Sequence, residues 1–166
     1  MIELKFEKVS FYEFARHFPQ DSHMDIKLMY DNLKLPKRAT KLSAGYDFFA
    51  PYDFFLRAGE TIKIPTGIRC ILDDDKFLAV YPRSGLGFKY KLQLYNSVGI
   101  IDSDFCQSES GGHIWIKLYN ASPEEKALDI KQGDAFCQGI IQQYFLVDDD
   151  SRTEGNDRTG GFGSTG

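Results

Sequence analysis

Residues 113–119 read His-Ile-Trp-Ile-Lys-Leu-Tyr, and this stretch decides the fold class. Ile114, Ile116 and Leu118 alternate with Trp, Lys and Tyr, which is the period-2 pattern of a strand with one face in a core. Other short runs rich in β-branched and aromatic residues lie at 61–72, 77–81, 92–95 and 140–146. Polar turns separate these runs, so the sequence predicts an all-β sandwich, barrel or jelly roll.

The N-terminal segment carries the one convincing helix signal. Residues 10–13 (SFYE) form a capping-box pattern, which predicts a short amphipathic helix that ends before Pro19. Residues 1–9 and 26–35 are predicted to be strands. The expected architecture is therefore a β domain with one short N-terminal helix.

Composition limits the functional classes. A chain of 166 residues with 42% hydrophobic content is expected to form one domain, and its net charge of -4 argues against nucleic acid as a partner. The three cysteines are odd in number and lack metal-site spacing, which predicts reduced thiols and a cytoplasmic protein. The three histidines are scattered, so a zinc site is not expected. No apolar run is long enough to predict a membrane span, and the first residues lack a signal-peptide layout.

Five stretches interrupt the strand pattern with glycines, hydroxyls and charges. They are residues 43–47 (SAGYD), 82–87 (PRSGLG), 96–105 (NSVGIIDSDF), 133–138 (GDAFCQ) and 158–166 (RTGGFGSTG). An arginine beside glycines suits phosphate oxygens, and a carboxylate can serve as a base. Taken singly, each stretch also has a purely structural interpretation as a turn, a hairpin, a buried glutamine or a disordered end.

In this order the five stretches resemble the five motifs of the trimeric dUTP diphosphatase family, over residues 28–166. The resemblance implies a small jelly roll of the β-clip type and a homotrimer with shared active sites. It also implies hydrolysis of dUTP to dUMP and pyrophosphate with Mg²⁺. The expected organisation is a domain at 1–147 with an N-terminal extension at 1–27, a linker at 148–157, and a flexible glycine-rich C-terminal arm at 158–166 that closes as a lid.

The resemblance also implies roles for individual residues. Asp102 matches the carboxylate that activates the attacking water, and Asp47 matches the residue that holds the hydrated metal. The implied phosphate contacts are Arg83, Ser84, Gly85, Gln138, Arg158, Gly163, Ser164 and Thr165. Uracil is assigned to Asn96, Gly99, Ile100 and Ile101, with Phe162 stacking on it. Phe105 stands where the family usually has a tyrosine beneath the deoxyribose.

Two features leave alternatives open. Residues 106–112 (CQSESGG) are longer than the family's usual connection, which indicates either a solvated loop or a loop that binds a regulatory protein. The chain could accordingly be a regulator that uses this fold to bind a protein. It could also be a dCTP deaminase, but Lys117 stands where that related family has a catalytic glutamate.

Overall fold

The computed structural model of the chain describes residues 3–150, and this part is mostly β. The strands are β1 (Lys5–Lys8), β2 (Lys37–Arg38), β3 (Tyr46–Phe49), β4 (Phe54–Leu56), β5 (Thr61–Pro65), β6 (Ile68–Ile71), β7 (Lys76–Pro82), β8 (Leu92–Leu94), β9 (Gly99–Asp102), β10 (Trp115–Asn120), β11 (Leu128–Ile130) and β12 (Ala135–Gln143). The helices are α1 (Phe11–Ala15), α2 (Ile26–Asp31), α3 (Ser84–Tyr90) and a 3₁₀ helix, Ser103–Gln107.

The strands form a five-stranded sheet and three smaller ones. The five-stranded order is β2-β3-β12-β7-β9, and the three-stranded order is β5-β10-β8. Two further pairs, β1-β6 and β11-β4, complete the framework, and every pairing is antiparallel. The alternation predicted at residues 113–119 is confirmed, since Ile114, Ile116 and Leu118 are buried in the main core. Leu78, Phe48 and Phe136 fill the same core from the five-stranded sheet.

The predicted run at 61–72 is two strands, β5 and β6, because the chain turns at Gly67. Gly67 has a φ of +73°, a conformation that favours glycine. A Cβ at this position would lie 2.4 Å from Leu33 Cδ1 and 3.1 Å from Cδ2 of Phe14 in the N-terminal extension. The turn therefore brings the N-terminal extension against the β domain.

The N-terminal extension packs on the outside of the main core. Strand β1 pairs with β6, and helices α1 and α2 bury a second, smaller cluster of Val9, Phe14, Met29 and Leu33. Helix α1 begins as predicted, with the Ser10 hydroxyl accepting a hydrogen bond from the Glu13 amide at 3.1 Å. Glu13 does not complete the capping box, because its carboxylate turns toward other partners.

The strand predicted at 26–35 was wrong, because this segment contains helix α2. The Asp25 carboxylate caps the helix by accepting from the Leu28 amide at 2.9 Å. Ile26 and Met29, three residues apart in α2, both pack in the second cluster. A strand would place two residues with this odd spacing on opposite faces, whereas one helix turn places them on the same face.

The expectation of a single helix also fails at residues 84–90, where the predicted turn is helix α3. Two glycines weaken its intrinsic helix propensity. Leu86 and Tyr90, again four residues apart, pack against the main core and compensate. Lys91 ends the helix in the left-handed conformation, with a φ of 51°.

Residues 96–105 do not form the predicted hairpin. Strand β8 pairs with β10, whereas β9 pairs with β7 in the other large sheet. Ser97, with a φ of 67°, lies in the turn between them. Asp102 ends β9 and directly precedes the 3₁₀ helix. The two strands separate because each pairs with a different layer of the core.

The predicted C-terminal arm and all but residues 148–150 of the linker lie outside the described residues. Within residues 3–150, none of the helices has the length and apolar character needed to cross a membrane.

Candidate active site

A polar cavity of about 420 Å³ opens where strands β3, β7 and β12 meet helix α3. Five residues predicted from the sequence line it together: Asp47, Arg83, Ser84, Gly85 and Gln138. They come from three separate stretches of chain. The sheet register explains why these side chains lie together. Gln138 pairs with Asp47 on one side and with Tyr81 on the other, and Tyr81 is two residues before Arg83.

Arg83 and Asp47 form an ion pair at the edge of this cavity. The Nε of Arg83 lies 3.0 Å from Oδ1 of Asp47, and its Nη1 donates to the Ala135 carbonyl at 3.3 Å. Gln138 donates from Nε2 to the Pro82 carbonyl at 3.1 Å. A Cβ at Gly45 would lie 2.3 Å from Gln138 Oε1, so glycine at this position leaves room for the amide.

A second cavity, of about 330 Å³, is mainly apolar and is lined by residues of both large sheets. Three of the residues predicted to bind uracil line it: Asn96, Gly99 and Ile101. Val80 and Ile116 contribute to its lining from the core strands β7 and β10. The separation of β8 from β9 creates this space.

Four further residues that line this apolar cavity were not predicted as site residues from the sequence: Lys63, Tyr95, Trp115 and Lys117. They belong to ordinary strand runs and carry no motif. The cation of Lys63 lies 4.5 Å from the Trp115 ring, and that of Lys117 lies 3.7 Å from the Tyr95 ring. Alternation places Trp115 and Lys117 on the strand face opposite the core. This alternation was the one sequence feature that could have indicated that their side chains are available to line a cavity.

The remaining predicted residues lie apart from both cavities. Ile100 is half exposed, and its side chain points to the opposite face from Gly99 and Ile101, which line the apolar cavity, as alternation along β9 requires. Phe105 is 6% exposed in the single chain, so little of its ring is available to a sugar. Asp102 is partly buried opposite Phe77 at the far end of β7. Arg158, Phe162, Gly163, Ser164 and Thr165 lie outside the described residues.

Asp102 is far from Asp47 within one chain. Tyr81 lies beside Gln138 and Asp47, whereas Asp102 pairs with Phe77, four residues further along β7. Three inter-strand spacings also separate β3 from β9, so the two Cα atoms are roughly 20 Å apart. Neither carboxylate can cross this distance, so one chain cannot bring both to the same phosphate.

The histidines predicted to be scattered are partly clustered in space. Ligand atoms of Glu13, His17 and His113 lie within 4.8 Å of one another. The Gly67 N–H donates to Nε2 of His113 at 2.9 Å, so Nδ1 carries the ring proton and donates to Glu13 at 3.1 Å. Both nitrogens of His113 are therefore engaged, and the cluster fits a hydrogen-bond network better than a metal site.

This network shifts the pKa values of its buried members. Burial lowers the pKa of His113 to about 4, although the Glu13 carboxylate opposes the shift. Burial acts to raise the pKa of Glu13, but hydrogen bonds from His17 and His113 outweigh it and hold that pKa below its usual value. Glu13 is therefore a carboxylate and His113 a neutral imidazole near neutral pH.

The loop at residues 106–112 is more ordered than a solvated loop. Ser108 is buried, and Gly112 has a φ of +80° at a position where a Cβ would lie 2.7 Å from the α-carbon of Cys106. The Gly111 carbonyl accepts from Arg69 at 3.4 Å. Gln107 and Glu109 are exposed, and they are the side chains of this loop that a partner could reach.

Comparison with known proteins places the chain in a family. The family model described as dUTPase matches residues 31–166. The deoxyuridine 5'-triphosphate nucleotidohydrolase of Lactococcus lactis subsp. lactis (strain IL1403) is 38% identical over 135 residues, covering 81% of this chain and 89% of the relative.

Solved structures agree with this assignment. The crystal structure of dUTPase from Streptococcus mutans superposes with a TM-score of 0.64 at 28% identity, covering 87% of this chain and 98% of that one. The dUTPase of Staphylococcus bacteriophage 80alpha shares the fold at a TM-score of 0.64 and 17% identity, covering 94% and 99%. With a family model over most of its length and a curated relative at 38% identity, this chain belongs to the dUTPase family.

Proposed function

We propose a mechanism and a set of residues for the hydrolysis of dUTP to dUMP and pyrophosphate, the reaction that membership of the dUTPase family assigns to this chain. The observation that carries the proposal is the meeting of Asp47, Arg83, Ser84, Gly85 and Gln138 in one polar cavity. These groups offer a guanidinium, a hydroxyl, an amide and a carboxylate, which suit a metal-bound triphosphate.

Arg83 and Ser84 bind the phosphate oxygens in this proposal. The planar guanidinium can donate two hydrogen bonds, and Gly85 allows backbone N–H groups to approach an anion. Gln138, held by its bond to Pro82, adds a neutral polar contact. The Arg83–Asp47 ion pair orients both side chains before substrate arrives.

The donor set around Asp47 fits Mg²⁺. Mg²⁺ retains several waters and is usually held by one or two carboxylates plus substrate phosphates. Among the described residues that line the polar cavity, Asp47 is the carboxylate, and a volume of about 420 Å³ has room for its hydration shell. When bound, the ion would neutralise charge on the triphosphate. Asp47 would hold it through water.

Asp102 is the general base of the proposal. A carboxylate at the end of a strand, followed at once by a 3₁₀ helix, has a well-defined position. It would accept a proton from the water that attacks the α-phosphorus, and the leaving group would be pyrophosphate. Since Asp102 lies roughly 20 Å from Asp47 in one chain, the base must be supplied to the polar cavity by another subunit.

Uracil would enter the apolar cavity. The Asn96 amide and the backbone of Gly99 to Ile101 can pair with its polar edge. Cytosine exchanges a donor for an acceptor and would leave buried groups unpaired. Thymine would be rejected by its methyl group. Phe105 stays a predicted sugar contact, although it is buried in the single chain.

A homotrimer with three shared sites follows as the proposed assembly, on a domain of jelly-roll type. Phe145, Leu146 and Val147 follow β12 and leave their apolar side chains exposed or partly exposed, which supports coverage by a second copy. The tail would then close over a neighbour's site, with Arg158, Gly163, Ser164 and Thr165 on phosphates and Phe162 on uracil. A cytoplasmic location likewise stays a prediction.

A pyrophosphate-release assay across dUTP, dTTP, dCTP and UTP tests the proposal. Rapid release from dUTP alone, dependent on added Mg²⁺, is the expected result. Equal release from dTTP or UTP would contradict the proposed base and sugar recognition. Conversion of dCTP to dUTP would identify the deaminase alternative, which Lys117 disfavours, because a lysine cannot replace the catalytic glutamate of that related family.

A regulatory role remains a second candidate. The phage 80alpha dUTPase is described among phage dUTPases that control transfer of virulence genes by a proto-oncogenic G protein-like mechanism. In this chain the exposed Gln107 and Glu109 would be the contacts of a partner. Replacing both with alanine should weaken any partner's binding without changing dUTP hydrolysis. Unchanged partner affinity would remove this role from the loop.

A further inference from the structure

We propose that His17 of the N-terminal extension is a positioning residue for the nucleobase cavity and acts through Trp115. This inference rests on the proposed function, in which the apolar cavity holds the base. The dUTPase family model begins at residue 31, so the extension is a feature of this chain that the family match does not explain.

The two rings are in direct contact. The His17 and Trp115 rings meet edge to face, with centroids 4.5 Å apart and an interplanar angle of 87°. Trp115 begins strand β10 and lines the cavity together with Asn96 and Gly99. The ammonium of Lys63 lies over the same indole. The indole is thus a cavity wall that the extension supports.

A buried carboxylate holds His17 in place. The Nε2 of His17 donates to Glu13 Oε1 at 2.8 Å, and Glu13 is 7% exposed. Glu13 also accepts from His113, and Arg16 pairs with its second oxygen at 3.1 Å. A helix as short as α1 has little stability alone, so this network and the buried Phe14 fix its position.

Loss of the His17 ring would remove one contact that holds the Trp115 indole, so the indole could shift in the wall of the apolar cavity. The effect should fall on nucleotide binding and spare the hydrolytic step, because the phosphate ligands lie in the separate polar cavity. A structural role alone would lower the stability of the extension without a selective change in KM.

Steady-state kinetics with dUTP provide the test. In His17→Ala, KM should rise about twofold to tenfold while kcat stays near the wild-type value, as expected for loss of one aromatic pair. His17→Phe keeps a ring against Trp115 and should restore most of the affinity. His23→Ala removes an exposed histidine of the same extension and should change neither constant. An unchanged KM in His17→Ala, an equal rise in His17→Phe, or a fall in kcat alone would overturn the inference.

Tryptophan fluorescence gives a second readout, because Trp115 is the single tryptophan of the sequence. Titration of the wild-type protein with dUMP should change its emission, and the midpoint should move to higher dUMP concentration in His17→Ala. Inhibition of hydrolysis by dUMP with no change in emission would overturn the inference and leave the proposed function intact. Failure of the wild-type protein to release pyrophosphate from dUTP would overturn both.

Discussion

At the scale of the residue, the proposed chemistry depends on two carboxylates in different environments. Asp47 is largely buried and paired with Arg83, which suits a group that orients a hydrated ion. Asp102 ends a strand at the opposite edge of the five-stranded sheet. The sequence predicted both residues, because each stands in one of the five motifs that resemble those of the family. Their separation within one chain could not be read from the motifs.

Asp102→Asn tests the base assignment at this scale. The amide keeps the shape of the side chain but accepts protons poorly, so kcat should fall by about 100-fold to 10,000-fold. Binding of dUTP, measured by isothermal titration in the absence of added Mg²⁺, should stay in the wild-type range. Asp104→Asn, two residues away, is the matched control and should retain most of the activity. Near-normal kcat in Asp102→Asn would refute the assignment.

The buried histidine predicts a pH-dependent stability. The pKa of His113 falls from 6.5 to about 4 on folding, so the folded state binds fewer protons than the unfolded chain between these values. The stability that depends on a neutral His113 is therefore fully present above about pH 6.5, and it is lost as the pH falls toward 4. The loss between about pH 7.5 and about pH 5 should be roughly 2 kcal/mol. The lowered pKa of Glu13 acts in the same direction at still lower pH.

Urea denaturation at the two pH values measures this effect. His113→Asn should flatten the dependence, because asparagine can still donate to Glu13 but does not titrate. His23→Ala should leave the dependence as it is in the wild-type protein. A wild-type free energy of unfolding that did not change between the two pH values would contradict the neutral, buried state of His113.

At the scale of the element, the helices are the part of the fold that the sequence predicted least well. The helix signal at residues 10–13 was sufficient for α1, because a cap is a local interaction. Helix α2 was missed because its apolar residues are buried only by packing in the second cluster, which includes Phe14 and Leu33. That packing cannot be read from the local sequence. Helix α3 was missed for the same reason, since the packing of Leu86 and Tyr90 overrides its glycines.

Phe14→Ala tests whether the second cluster holds the extension on the domain. Phe14 is fully buried, so its truncation should lower the free energy of unfolding by about 3 to 5 kcal/mol. Tyr12→Ala, at an exposed position of the same helix, is the control and should cost far less. Chemical denaturation followed by circular dichroism provides the measurement. Equal effects of the two substitutions would show that the cluster contributes little.

At the scale of the whole molecule, the proposed site is divided between copies of the chain. The polar cavity lies near one edge of the five-stranded sheet and Asp102 near the other, so under the proposed mechanism each chain would supply parts to two different sites. A closed ring of identical chains satisfies this requirement with every site complete. Light scattering should therefore report a trimer.

Complementation between inactive variants tests the shared site. Arg83→Ala and Asp102→Asn homotrimers should each be nearly inactive. Refolding the two variants together should restore activity, since roughly a quarter of the sites in randomly mixed trimers would receive both wild-type groups from different subunits. Refolding each variant alone is the control. Absence of activity in refolded, mixed trimers would mean that one subunit supplies both groups.

The sequence by itself determined the β character of the domain, the order of the five motifs and which residues are candidates for the reactive groups. These properties are local: alternation has a period of two residues, and each motif is a short continuous stretch. Only the tertiary structure decided which of these groups share a cavity, that Asp102 lies away from Asp47, and that His17 meets Trp115 across 98 residues of chain. Such contacts depend on how the sheets and the extension pack, and no local pattern encodes that packing.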